Sequence, residues 1–415
     1  MESNALINLL SGKKYLLLQG PMGPFFNDMA EWLESQGREA VNVIFNSGDR
    51  FYCRKRFYLT YGQTPQEFPR WLKETWQKYH FDTILCFGDC RQLHQAAKRW
   101  SQSKNIRFLA FEEGYLRPHF ITLESGGVNA YSQIPRDPDF YRNLPEQPEL
   151  EVHNLKPSTK LRIGHAIWYY LISWIYRRHF PKYRHHKVFS PWYEAKCWIR
   201  AGLRKIWYRY KERHIIDILG TELDQRYFLS ILQVYNDSQI RNHSNYKDIR
   251  NYINDIMFSF SKKASTTDFL VFKHHPMDRG HRLYGPLIKK LSLRYGVSER
   301  IIYIHDLPMP YLLNHAKAVI TINSTAGISA LIHKKPLIVM GDALYDIKGL
   351  TFQGHINNFW SSHFKPDMDL FKKFSTYLRI NTQINAVFYG KKSPEMIHYT
   401  TTHITSVKNG KWFLQ

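Results

Sequence analysis

Apolar residues fall along this chain in short runs that switch between the continuous pattern of a buried strand and the three-to-four-residue period of a helix. Ala318 to Ile322 is β-branched and apolar, as a buried parallel strand is. Thr325 to His333 has the length of a short helix, and Pro336 to Met340 reads as a second buried strand reached by a tight connection. The alternation recurs upstream. Strands are predicted at Tyr15–Gln19, Val41–Phe45, Asp82–Phe87 and Ile106–Phe111, with helical patterns around Glu31–Leu33 and over Thr64–Tyr79 and Gln92–Gln102. A second series opens at Arg226–Val234 and continues through Asp268–Phe272 and Ile301–Ile304, with helices at Tyr246–Phe260 and Pro310–His315 and a mainly helical stretch from Met368 onward. Two series of strand and helix in alternation predict an α/β fold of two Rossmann-like, doubly wound domains facing a cleft.

Between the two series the pattern breaks. Residues 133 to 160 are rich in Pro, Asp and Asn and have no period, which reads as a linker. The expected organisation is a Rossmann-like domain over 1–159, a basic aromatic helical insertion over 160–215, a second Rossmann-like domain over 216–385 and a helical tail over 386–415. A length of 415 residues exceeds one ordinary core and agrees with two domains.

Charge changes the picture at the insertion. The chain carries a formal net charge of +23, and Lys160 to Arg213 holds 14 Lys and Arg against only Glu194 and Glu212, together with five of the 11 tryptophans. Cations mixed with Trp and Tyr belong at an anionic surface, either lipid headgroups or nucleic acid. Ile199, Leu203, Ile206, Trp207 and Tyr210 recur at helical spacing, with Arg200, Arg204 and Lys211 on another face. Such a stripe packs on the protein or lies on a membrane. Charge and aromatics together favour the membrane, with Trp198, Arg200, Arg204, Lys205 and Trp207 as its contacts. The longest apolar stretch, Ile163 to Tyr176, is shorter than the ~20 residues a spanning helix needs. With no signal-peptide pattern at Met1–Lys14 and no paired cysteine motif among Cys53, Cys86, Cys90 and Cys197, a reduced cytosolic chain is expected.

The candidate chemistry gathers where predicted strands end. Asn323, Ser324, Thr325, Ala326 and Gly327 form a turn whose hydroxyls and N–H groups suit one phosphate; its ordinary reading is a capped helix. Lys273, His274, His275 and Pro276 follow another strand and set a cation and two imidazoles at its carboxyl end. Glu112 and Glu113 follow Ile106–Phe111, where a carboxylate in a cleft acts as acid or base, unless Arg117 merely neutralises Glu112. The turn at Gly20 lacks the G-x-G-x-x-G spacing of a dinucleotide fold and passes beneath a substrate. Asp237, between Gln233 and Gln239, ends the first strand of the second series and reads either as a cleft carboxylate or as a helix cap. No D-x-D metal motif is evident in the cleft loops, so neither a metal nor a cofactor is expected.

The acidic-acidic-Gly set Glu112–Gly114, the His-Pro pair His275–Pro276 and the Ser-Thr pair Ser324–Thr325 occur together in bacterial transferases that use CMP-activated sugars. With QVYNDSQIRNHS at Gln233–Ser244, GDCRQLH at Gly88–His94 and the glycine-spaced loop after Met340, the chain resembles the capsule polysaccharide proteins of the KpsS/LipB type over about residues 12 to 360. That resemblance implies a GT-B glycosyltransferase, with 1–159 on the acceptor side and 216–385 binding the CMP-sugar. It implies retaining transfer of Kdo from CMP-β-Kdo to a (lyso)phosphatidylglycerol acceptor, beginning the poly-Kdo linker of a capsule. Asp237 would be the nucleophile, Glu113 the acid/base and His275 the group stabilising the departing phosphate, a role His274 could share. The site would lie at the inner face of the bacterial inner membrane, beside other capsule synthesis and export proteins and without nucleic acid. The alternatives are a non-catalytic membrane-associated subunit of the export machinery and a CMP-sialic-acid transferase.

Overall fold

The computed structural model describes residues 3–147, 152–183, 191–236, 240 and 243–390. Its strands, in chain order, are β1 (Lys14–Leu17), β2 (Glu39–Ile44), β3 (Leu59–Thr60), β4 (Thr83–Phe87), β5 (Arg107–Glu113), β6 (Ile121–Ser125), β7 (Tyr227–Ile231), β8 (Phe269–Lys273), β9 (Ile301–Ile304), β10 (Ala318–Thr321), β11 (Leu337–Val339) and β12 (Gln383–Ile384). They make a seven-stranded sheet in the order β12-β6-β5-β4-β1-β2-β3 and a five-stranded sheet in the order β11-β10-β7-β8-β9. The α/β reading holds. All pairings in the second sheet are parallel, and in the first only those of β6 are antiparallel.

The described residues divide into two compact units. The first takes residues up to Gln133, then Gln147–Pro191 and those from Thr376 on; the second takes Ile134–Glu146 and Trp192–Ser375. The basic window is therefore shared. Helix Thr159–Ile175 falls in the first unit, and nearly all of helix Pro191–Lys211, with helix Arg213–Gly220, in the second. Part of the expected linker is ordered as helix Pro138–Arg142. Residues 385–390, at the edge of the expected helical tail, are not helical, and 391–415 lie outside the described residues.

Strand edges fix where chemistry sits. The expected strand at 106–111 runs on through Glu113, because β6 turns back and pairs Thr122 with Glu112 and Ile121 with Glu113. Gly114 makes that reversal possible, since a Cβ there would collide with the Phe120 carbonyl. Phe25, Phe26, Leu85, Phe111 and Leu123 form the core on one face of the first sheet, and Leu16, Phe45, Phe68, Ile84 and Phe108 that on the other. In the second unit Phe228, Tyr252, Met257, Phe260, Phe272 and Trp360 are wholly buried around the sheet, at about 1.5–3 kcal/mol for each large side chain taken from water.

Candidate functional site

In the second sheet the chain leaves β7 for β8 on one side and returns by β10 on the other, so the carboxyl ends of β7 and β10 form the switch point at which open α/β sheets take ligands. Gln233 spans that point. Its Nε2 donates to Asn323 Oδ1 at 3.0 Å, and its Oε1 accepts the Asn323 N–H at 3.1 Å. Asn323 donates onward from Nδ2 to the His243 carbonyl at 3.3 Å. Two amides thus hold the Asn323-Ser324-Thr325 turn against the exit of β7.

The turn itself differs from expectation at one donor. Ser324 Oγ accepts the Ala326 N–H at 3.2 Å, which leaves the N–H groups of Ser324 and Thr325 and the two hydroxyls for a ligand. The helix that follows, Ala326–Ile332, is short, so the local hydroxyls and N–H groups matter more than its dipole. Gly327 is required because a Cβ would strike the Tyr345 hydroxyl, which itself donates to the Ser324 carbonyl at 2.5 Å. Asp237 and Gln239, expected after β7, lie outside the described residues.

At the end of β8 the four expected residues separate. Lys273 and His274 are buried, contrary to a direct role on an anion. Lys273 lies in a strand paired on both sides and donates to the His305 carbonyl, and burial brings its ammonium down to about 8. His274 Nδ1 meets the Tyr303 hydroxyl at 2.7 Å, and burial lowers its imidazole to about 3, so it stays neutral. His275, half-buried, caps the turn Pro276–Asp278 by accepting the Met277 N–H on Nδ1 at 3.2 Å. Pro276 is exposed. Of the two imidazoles, His275 is thus the less buried.

Sequence reasoning missed the buried charges behind this edge. Glu212 accepts the His305 and Asp306 N–H groups at 2.9 and 3.0 Å and His305 Nδ1–H at 2.6 Å. Asp278, wholly buried, accepts the Tyr235 N–H at 3.0 Å and is pushed up to about 6 by burial. The signal for Glu212 was present, because Glu194 and Glu212 are the two acids of a basic window, and each sits on a histidine: Glu194 on His281 at 3.1 Å, Glu212 on His305.

In the first unit the two glutamates have different surroundings. Glu112 accepts the Glu113 N–H at 3.0 Å; burial, helped by the charges of Glu113 and Asp89, pushes its carboxyl up to about 7. Glu113 forms an ion pair with Arg162 at 3.4 Å. Arg117 is exposed and donates to the Gly114 carbonyl at 3.1 Å, so it does not neutralise Glu112 by a direct pair. Glu124, unanticipated inside the run Ile121–Ser125, accepts the Tyr115 hydroxyl at 2.6 Å and is raised by burial to about 7. Gly20 follows β1 at this sheet's switch point and is packed against the Phe26 ring.

Both basic helices are inside-out. On Thr159–Ile175, Tyr169 is buried, donating to Asp49 at 2.8 Å and accepting from Asn46 at 2.7 Å and Gln19 at 2.9 Å, while Ser173 accepts the Gly48 N–H at 3.1 Å. Its outer face shows Ile163, Ile167, Trp168 and Ile175. On Pro191–Lys211, Ile199 is 66% exposed, Leu203 64%, Ile206 72% and Trp207 59%, so the stripe does not pack on the described chain. Arg200, exposed, and Arg204, half-buried, turn their guanidinium groups to the chain's own Gly280 and Arg279 carbonyls at 2.6 and 2.7 Å, where lipid contacts had been expected. Lys205 is exposed and Trp198 half-buried. No described helix is long and apolar enough to cross a membrane.

Residues 82–389 match the family described as Capsule polysaccharide biosynthesis protein. The chain is 70% identical over 389 residues to the capsule polysaccharide export protein KpsS of Escherichia coli, covering 94% of this chain and 100% of that one. It is 37% identical over 398 residues to the capsule polysaccharide modification protein LipB of Neisseria meningitidis, covering 94% of each. Among solved structures it is similar to the KpsC beta Kdo 2,7 transferase of Thermosulfurimonas dismutans at 14% identity and a TM-score of 0.42, over 95% of this chain and 99% of that one. With a family match over most of its length and so high an identity to KpsS, this chain belongs to the capsule polysaccharide biosynthesis protein family.

Proposed function

We propose that this protein is a retaining glycosyltransferase of the GT-B kind that moves Kdo from CMP-β-Kdo to a (lyso)phosphatidylglycerol acceptor at the inner face of the bacterial membrane. The observation that carries the reading is the switch point of the second sheet, where the Gln233–Asn323 amide pair holds the turn that bears the Ser324 and Thr325 hydroxyls and His275 flanks the same edge from β8. CMP carries a single phosphate, which the hydroxyls and N–H groups of Ser324 and Thr325 suit, with His275 stabilising the charge that develops as CMP departs. Asp237, four residues after the Gln233 that marks this edge, attacks the anomeric carbon as CMP leaves; the acceptor hydroxyl then displaces the carboxylate, giving net retention. Glu113 takes the acceptor proton. Glu112, raised by burial, holds a proton near neutral pH and fits a supporting role better than that of the base.

The acceptor reading rests on the outward apolar faces of the two basic helices. A lipid surface covers apolar side chains and attracts the Lys and Arg beside them, whereas nucleic acid would leave Ile199, Leu203 and Ile206 in water. The name of the Escherichia coli relative supports a second reading, a subunit of capsule export without turnover.

Purified protein incubated with CMP-Kdo and a fluorescent phosphatidylglycerol analogue separates these readings. Transfer of sugar to lipid is expected; none from CMP-Kdo but transfer from CMP-sialic acid would move the donor, and none from either would favour the export subunit. Intact-protein mass spectrometry of Glu113→Gln given CMP-Kdo is expected to show one Kdo adduct on the peptide holding Asp237.

A further inference from the structure

The segment that follows His275 is gripped by one helix at four consecutive levels. Glu194 accepts from His281 Nε2 at 3.1 Å. The backbone of Cys197 lies so close to Gly280 that a Cβ there would collide with the Cys197 carbonyl oxygen. Arg200 Nε donates to the Gly280 carbonyl at 2.6 Å, and Arg204 Nη1 to the Arg279 carbonyl at 2.7 Å. Residues 197, 200 and 204 share a face by helical spacing, and the exposed Ile199, Leu203, Ile206 and Trp207 form the stripe that flanks it. One turn further, Tyr208 stacks on His305 at 3.5 Å and 3°.

The gripped segment also carries the exit of β7. Asp278 accepts the Tyr235 N–H at 3.0 Å, the Tyr235 ring lies over His281 at 6.0 Å and 28°, and the Arg282 guanidinium sits 4.9 Å above the same ring. His275 caps the turn at the segment's start. Residues 275 to 282 are thus a hub between helix Pro191–Lys211, the candidate leaving-group histidine and the loop leaving the central strand. Backbone carbonyls held by two guanidinium groups are charge-assisted contacts, stronger than the neutral bonds they replace.

We propose that Arg200 and Arg204 are positioning residues: from the helix whose outer face is offered to lipid, they set the place of His275 and of the β7 exit. The effect on turnover rests on the transferase reading; the effect on the hub does not. A helix seated on a surface by one face and on the hub by the other makes loop geometry depend on how the helix is docked.

The test uses full-length protein, vesicles of phosphatidylglycerol and phosphatidylcholine, and two double variants, Arg200→Ala/Arg204→Ala and Arg200→Lys/Arg204→Lys. In the alanine pair, amide exchange at 275–282 and at Tyr235 should quicken while the rest of the second unit keeps its protection. Turnover is read at saturating vesicles, so that weaker binding from the two lost charges does not enter it. Turnover should fall roughly 10- to 100-fold, as small misplacements of reacting groups do, with the donor KM changing less. The lysine pair, which keeps a donor at each position, should recover part of both. Unchanged exchange at 275–282 overturns the proposal, as does a loss of protection spread through the unit that lysine does not mend. If the wild type transfers nothing, the transferase reading falls and the exchange data alone decide the hub.

Discussion

Glu112 and Glu113 are chain neighbours whose carboxylates part company: the first, half-buried, accepts the N–H of the second at 3.0 Å, while the second turns to Arg162 at 3.4 Å. Their consequences for pH differ accordingly. Glu112 ionises near 7 in the fold but near ~4.3 in an unfolded chain, so between those values the folded state holds a proton that the unfolded state has lost. Stability from this group is therefore full below about pH 4.3 and falls as pH rises to about 7, by up to ~1.4 kcal/mol per pH unit. Glu112→Gln should match wild type near pH 4 and be the more stable protein at pH 8, read from urea midpoints. Parallel curves for the two proteins would refute the assignment.

The two histidines of the His-His-Pro run should fail differently. His274→Ala removes a buried ring and strands the Tyr303 hydroxyl, and should cost about 2–4 kcal/mol of stability. His275→Ala gives up one turn cap, about 0.5–2 kcal/mol, and should lose turnover far beyond that, because a leaving-group contact acts where charge develops. Thermal melts alongside transfer assays check both, and a cold-stable, inactive His274→Ala would reverse their roles.

Ser324→Ala with Thr325→Ala should weaken CMP binding, each lost bond to a charged phosphate costing about 1.5–3 kcal/mol. Gln233→Ala should weaken it as well, by freeing Asn323 and loosening the turn without touching the nucleotide. Calorimetry with CMP measures all three; unchanged affinity would remove the nucleotide from this turn.

The apolar face can be tested without disturbing the core. Ile199→Ser, Leu203→Ser and Ile206→Ser together should leave thermal stability within about 0.5 kcal/mol per site, because these side chains are exposed. They should lower binding to anionic vesicles, as should Lys205→Glu, with salt weakening whatever remains by screening. Equal flotation with neutral vesicles in high salt would count against a charged lipid surface.

The architecture was legible where residues obey strong local patterns. Ala318–Thr321, Phe269–Lys273 and Thr83–Phe87 are buried parallel strands, apolar except for Thr321, Lys273 and Thr83 at their ends, as such strands mostly are. What escaped were elements defined by distant partners. β12 is two residues long and exists because Gln383 and Ile384 pair with Thr122 and Ile121. The direction of Arg200 and Arg204 escaped for a related reason: an arginine beside an apolar stripe looks the same in sequence whether it meets lipid or a carbonyl of its own chain. Lys273 and His274 were misjudged because a strand end can turn its last side chains under the neighbouring strand, which only the sheet order reveals.

The outward faces of Thr159–Ile175 and Pro191–Lys211 also bear on how rates for this protein should be written. On the proposed lipid-acceptor reading, a catalyst seated on a bilayer would meet its acceptor by lateral diffusion, and adding inert lipid at fixed acceptor would thin the acceptor without changing its amount per volume. Velocity would then follow the acceptor's mole fraction in the surface, and doubling vesicles and acceptor together would leave it nearly flat once all the protein is bound. Kinetics recorded in detergent-free buffer with a short, water-soluble acceptor would describe a different encounter, one in three dimensions with those faces in water.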